Sequence, residues 1–168
     1  MHEPLLAEEP IVATALSDYE IERNKPMPNR IHGSLQSQII FLLKTLYSGQ
    51  FQFPSELSLA TAPSTTPDIC IYHKKKLNVR EVTAKEIEMP LTTIEILSPR
   101  QSLDELASKA WDIYFPAGVQ SAWIVVPELK AIQLLLPNGE THLFYKDTLT
   151  DPVTNIQISV PEVFEDLV

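Results

Sequence analysis

Residues 91 to 126 constrain the fold of this chain more than any other stretch. "LTTIEIL" is a run of β-branched and apolar residues that stops at Ser98-Pro99. "SLDELASKAWDIYFPAG" follows with helical spacing. Ser102 to Glu105 fits a capping box, Leu103, Leu106, Ala107, Ala110, Ile113, Tyr114 and Ala117 form one apolar face, and Pro116 and Gly118 mark its end. "VQSAWIVVP" is then an apolar strand. Strand, helix and strand in this order form a βαβ unit, which makes the two strands parallel neighbours in one sheet.

The rest of the chain adds to that sheet. "NRIHGSLQSQIIFLLKTLYSG" predicts a helix carrying Leu35, Ile39, Leu42, Leu43 and Leu46 on one face, with Gly49 at its C-terminus. "FQFPSELSLAT" and "PDICIYH" predict two strands, and Lys74, Lys75 and Lys76 extend the second into a basic stretch read as a solvated loop. "AIQLLLPNGETHLF" predicts a hairpin turning at Pro137-Asn138-Gly139, "NIQISV" an edge strand, and "PEVFEDL" a short helical turn. Residues 1–16 read as a loosely attached arm. "SDYEIERNKPMP" reads as a short N-terminal hairpin in which Tyr19 and Ile21 alternate with Glu20 and Glu22. The expected fold is therefore α/β: a central mixed sheet flanked by helices, with hairpins near both ends, in one domain over 17–168.

Within this frame Glu95 is out of place. A carboxylate amid Ile94, Ile96 and Leu97 costs several kcal/mol, roughly, unless it is protonated, paired or holding a metal. Asp68 borders another apolar strand, and Lys109 falls at the edge of the apolar stripe of the helix after Glu95. Two carboxylates from neighbouring strands suit a magnesium-type cation, and a nearby lysine suits charge on a water or a phosphate, which together describe metal-assisted phosphodiester hydrolysis. Another reading of the same residues stays open. Asp68 opens a strand after proline, Glu95 and Lys109 form a buried structural ion pair, and His32 is a packed, hydrogen-bonded histidine.

The net charge of −9 lowers the prior for binding nucleic acid by charge alone. A single cysteine, Cys70, excludes an intrachain disulfide and favours a cytoplasmic home. The acidic N-terminus lacks the basic start of a secretion signal, and no apolar run reaches the length of a membrane span.

Pro67-Asp68, Glu95-Ile96-Leu97-Ser98-Pro99, Lys109 and "WIVVP", in this order, resemble the restriction-endonuclease-like proteins of the Uma-two family, within the PD-(D/E)XK nuclease superfamily. "YEIERNKPMPNRIHG" resembles that family's N-terminal hairpin and helix. The likeness runs from about Tyr19 through Pro127 and into the hairpin beyond. It implies Asp68 and Glu95 as ligands of magnesium or manganese, with the Ile96 carbonyl as a third, and His32 and Glu20 at the rim of the site. The superfamily's lysine two residues after the glutamate would fall at Leu97 and is absent, and Lys109 matches the position to which this family has moved it. The resemblance implies an endonuclease acting on nucleic acid, with DNA the expected substrate. The competing reading is a catalytically inactive nuclease-fold module that binds or regulates. The apolar hairpin further suggests a homodimer.

Overall fold

The computed structural model describes Glu20 and residues 25–168. The expected arm at 1–16 lies outside these residues, as does most of the N-terminal hairpin. Glu20 has helical rather than extended backbone, which departs from the hairpin reading at that position.

Helix α1 (Arg30–Tyr47) starts where the sequence places it, because the Asn29 side chain accepts a hydrogen bond from the backbone N–H of His32 at 2.9 Å. Leu35, Ile39 and Leu43 are its buried stripe. Leu42 is only partly buried and Leu46 is exposed, and Ser48 rather than Gly49 caps the C-terminus.

Six strands follow in the main sheet: β1 (Phe51–Gln52), β2 (Ile69–His73), β3 (Thr92–Ile96), β4 (Ser121–Val126), β5 (Ala131–Leu135) and β6 (Thr141–Tyr145). They lie side by side in chain order, and every neighbouring pair is antiparallel except β3 with β4. The parallel pair is the one the βαβ pattern requires, with Glu95 opposite Ile124. The predicted strand over 51–61 shrinks to β1. Beyond it the chain turns at Pro54 and touches the start of β2 through isolated bonds only, Cys70 N–H to Pro54 O and Glu56 N–H to Asp68 O. "NIQISV" does not extend the main sheet. Its residues form β8 (Gln157–Ser159), which pairs with β7 (Thr148–Thr150) in a separate two-stranded sheet.

The crossover is α2 (Leu103–Lys109), a π-helical turn (Ala110–Tyr114) and α3 (Phe115–Ala117). Pro116 does not end this helix. Proline has no N–H for the carbonyl four residues back, and the widened turn directly precedes it, with Phe115 N–H bonded to Ala110 O. Gly118 ends the helix, at a φ of 110° that favours glycine.

Alternation along the strands divides the core into two layers. Ile69, Ile71, Ile94, Ile96, Trp123 and Val125 pack toward α1 and the C-terminal elements. Cys70, Tyr72, Ala122, Ile124 and Val126 pack toward Leu106, Ala110 and Tyr114 of the crossover. Glu95 thus shares its strand with residues buried against α1 while its own side chain faces the crossover. Among the described residues no helix is long and apolar enough to cross a membrane.

Asp151 ties the small sheet to the large one. Its buried carboxylate accepts from Ser121 Oγ at 2.7 Å, Trp123 Nε1 at 2.8 Å and the Val153 N–H at 2.8 Å. Asp151→Ala removes the acceptor of all three and leaves the Trp123 and Val153 N–H groups without it, which is expected to cost about 3 kcal/mol or more. An unchanged urea midpoint in equilibrium denaturation would contradict this.

Candidate active site

Asp68 ends the irregular segment before β2, one residue short of the strand, and its carboxylate is almost wholly buried. Four groups from three parts of the chain surround it. The Ile96 N–H donates to Oδ2 at 2.7 Å, and His32 Nε2 lies 3.1 Å from the same oxygen. The Lys25 ammonium donates to Oδ1 at 2.5 Å, and Gln36 Nε2 donates to the Asp68 backbone carbonyl at 3.0 Å. His32 and Gln36 are one helical turn apart on α1, so one face of that helix serves both ends of the residue.

Glu95, the last residue but one of β3, projects toward the crossover. Lys109, at the end of α2, places Nζ 3.1 Å from Oε2 and 3.3 Å from Oε1. The Oε2 contact has ion-pair distance without hydrogen-bond geometry, so that oxygen retains unmet accepting capacity. Asp68 and Glu95 line one small cavity with Lys25, Pro26, His32 and Ile96. Its free space is about 10 Å³, enough for one water-sized occupant.

The two carboxylates are driven in opposite directions. Burial alone would raise Asp68. The His32 hydrogen bond and the Lys25 charge more than offset it and hold the carboxyl below its usual range. Glu95 is pushed up, first by burial and then by the Asp68 charge, against the pull of Lys109. The Lys25 ammonium is held above the usual lysine value, because Asp68 outweighs the desolvation that would lower it. A pair of acids with separated affinities for protons is a common mark of functional sites.

The sequence-predicted residues are brought together in part. Asp68, Glu95 and Ile96 meet at the cavity, and Lys109 reaches it through Glu95. His32, expected at the rim, is in direct contact with Asp68, and its Nδ1 is buried without a partner among the described residues. Glu20 lies in an adjoining groove with Met27, Asn29, Pro99 and Arg100 that shares Pro26 and Ser98 with the cavity. Lys25 is the residue that sequence reasoning missed. Only its neighbourhood, a lysine just ahead of two prolines and a helix cap, hinted at a fixed position.

The donors suit a hard divalent cation in kind: two carboxylates line the cavity, with room for little else. Among the described residues no three His, Cys, Asp or Glu side chains gather closely enough to hold a metal. Magnesium, however, is commonly held by one or two carboxylates with water completing the shell. A positive charge is already seated there, since the Lys25 ammonium sits among oxygens of Asp68, Thr66 and Glu56. The cavity therefore fits a cation by chemistry.

This arrangement is a restriction-endonuclease-like core: a mixed sheet with one acid just ahead of its second strand and another on its third, beside a helix-borne lysine. The family described as "Putative restriction endonuclease" (Uma2) matches residues 2–167, and the chain belongs to that family. A solved structure from Anabaena variabilis ATCC 29413, described as "a putative nuclease belonging to DUF820", shares the fold with a TM-score of 0.70. It is 24% identical, over 85% of each chain. No curated protein matches.

The depressed Asp68 carboxyl makes a signed prediction. A group whose folded pKa lies below its unfolded value stabilises above the unfolded value and loses that contribution as pH falls through the folded one. Wild type should exceed Asp68→Asn in stability at neutral pH, and the gap should close on acidification below about pH 4. Denaturant midpoints across that range check it, and a gap that persists at low pH contradicts it.

Proposed function

We propose that the chain is an endonuclease that hydrolyses phosphodiester bonds of nucleic acid, with DNA as the expected substrate, at the Asp68–Glu95 pair. The observation that carries this reading is the meeting of these two carboxylates at one cavity with Lys109 3.1 Å from Glu95. Asp68, Glu95 and the Ile96 carbonyl would hold magnesium or manganese. When bound, such an ion supplies Lewis-acid polarisation of a phosphate oxygen and an acidified water. The chain's own residues do the rest. His32 and the Ile96 N–H fix the Asp68 carboxylate in place. Lys109 neutralises Glu95 and presents positive charge where a phosphate or an attacking water gathers negative charge. Glu20 and Arg100 border the adjoining groove, on the side from which a strand would approach.

On the same reading, residues 17–168 form one restriction-endonuclease-like domain that works in the cytoplasm as a homodimer. The β5–β6 hairpin supports the dimer, because among the described residues β6 is an edge strand that exposes Leu143 and Tyr145 at 60% and 52%. The wild type should sediment as a dimer and Leu143→Asp as a monomer. A wild type that stays monomeric at high concentration contradicts the dimer and leaves the site untouched.

A second reading is favoured by a specific observation. Asp68 and Glu95 each already have an ammonium partner, which is also what a catalytically inactive, charge-balanced binding module would contain. Lys109→Met separates the two. For an endonuclease, cleavage of a DNA and RNA panel in manganese should fall by about 100-fold or more, with folding little changed. For the module, wild type should be inactive and the variant destabilised by roughly 3–5 kcal/mol in the buried limit, read from its unfolding curve.

A further inference from the structure

The proposed chemistry leaves Lys25 without a task, yet it is among the most completely engaged lysines in the molecule. Its side chain is 6% exposed. Its ammonium donates to Asp68 Oδ1 and to the Thr66 carbonyl at 3.0 Å, lies 3.4 Å from Glu56 Oε1, and feels the charge of Glu95. Lysine is rarely buried unless paired. Among the described residues its partners are oxygens, two carboxylates and a carbonyl, which is the donor set that a hard divalent cation takes.

The backbone around Lys25 matters as much as its head group. Residues 25–29 belong to no helix or strand, and α1 begins only at Arg30. Withdrawal of the ammonium therefore breaks its own polar contacts and no secondary-structure hydrogen bond. Pro26 and Pro28 limit the conformations of this segment, which keeps the lysine near the cavity when it is released. A tethered group of this kind acts at a high effective concentration. The cavity has room for one water-sized occupant besides the ammonium, and a divalent ion on Asp68 would lie against a like charge.

We infer that Lys25 is a built-in counter-cation whose ammonium occupies the seat of the divalent metal, so that Lys25 and the metal hold Asp68 in alternation. This rests on the proposed metal-binding role of Asp68 and Glu95. Without metal, Lys25 keeps the buried Asp68 charge compensated and the site closed. With metal, Lys25 leaves and Asp68 exchanges one cationic partner for another. The opposite arrangement has Lys25 and metal bound together, with the ammonium assisting the ion, and it predicts the reverse response to substitution.

The test is manganese binding to the full chain by titration calorimetry, with melting temperatures measured with and without manganese. Lys25→Gln should bind manganese roughly tenfold more tightly than wild type, or better, because a competing charge is gone. Lys25→Arg, which keeps the charge, should bind as weakly as wild type. Lys25→Gln should melt lower than wild type without metal and gain more from manganese. Adding Glu95→Ala to Lys25→Gln should abolish the gain, which locates it at this cavity. If Lys25→Gln unfolds without metal, recovery of its circular dichroism on adding manganese supports the inference, and failure to recover overturns it. Equal or weaker binding by Lys25→Gln, in a wild type that binds manganese, overturns the alternation and leaves the metal-dependent nuclease reading standing. Absence of binding by both proteins overturns the two together.

Discussion

The site depends on keeping one carboxylate charged in the protein interior. Asp68 lies at the mouth of β2, where desolvation opposes its ionised form. Its charge survives because donors converge from separate parts of the chain: Lys25 ahead of α1, His32 within α1, and the Ile96 N–H at the end of β3. The Ile96 contact couples the site to the sheet, because that N–H can reach Asp68 only while β2 and β3 keep their antiparallel register. The His32 contact couples it to the layer above, since the helix that carries His32 is held down by Leu35, Ile39 and Leu43. The architecture of the sheet and the geometry of the acid are thus a single constraint.

Glu95 is held from the opposite face. Period-2 alternation sends Ile94 and Ile96 toward α1 and Glu95 toward the crossover, where the last residue of α2 is Lys109. Immediately beyond Lys109 the helix widens into its π turn. That turn lets the chain pass Pro116 and still lay Ala110 and Tyr114 on the sheet. The two acids are therefore supported by different layers of the molecule and meet only at the edge of the sheet, where the strands end and the cavity begins.

Much of this was legible in the sequence, for identifiable reasons. The βαβ unit was readable because its strands are continuous apolar runs and its helix carries a capping box, and both signals are local. Glu95 was conspicuous because it interrupts such a run. Asp68 and Lys109 were weaker signals that gained weight from their order and spacing within the family pattern. What was not legible depends on distant pairing. Nothing near Lys25 in the chain indicates a partner 43 residues away. The strand expected over 51–61 stops early because Pro54 follows Phe53 and has no N–H to give a ladder, so only Phe51 and Gln52 pair before the chain turns. "NIQISV" has the alternation of a strand, but alternation does not say which sheet receives it. Its strand pairs with β7, next to Asp151, whose buried carboxylate ties the neighbouring turn to β4.

The charge balance bears on how an acidic protein could handle a polyanion. The chain carries −9, so its net charge does not draw a polyanion toward it. Among the described residues in and around the cavity, Lys25 pairs with Asp68 and Glu56, and Lys109 with Glu95, so the ammonium charges are already taken up by carboxylates. In that state the site offers a phosphate little attraction. If a divalent ion replaces the Lys25 ammonium at Asp68, the local balance gains positive charge without any new basic residue, and the released ammonium is free to turn toward the entering strand. Attraction for the phosphate would then depend on the metal already being bound. On those terms an overall negative chain is compatible with the proposed nuclease, because the charge that would recognise a substrate would be acquired at the site instead of being spread over the surface.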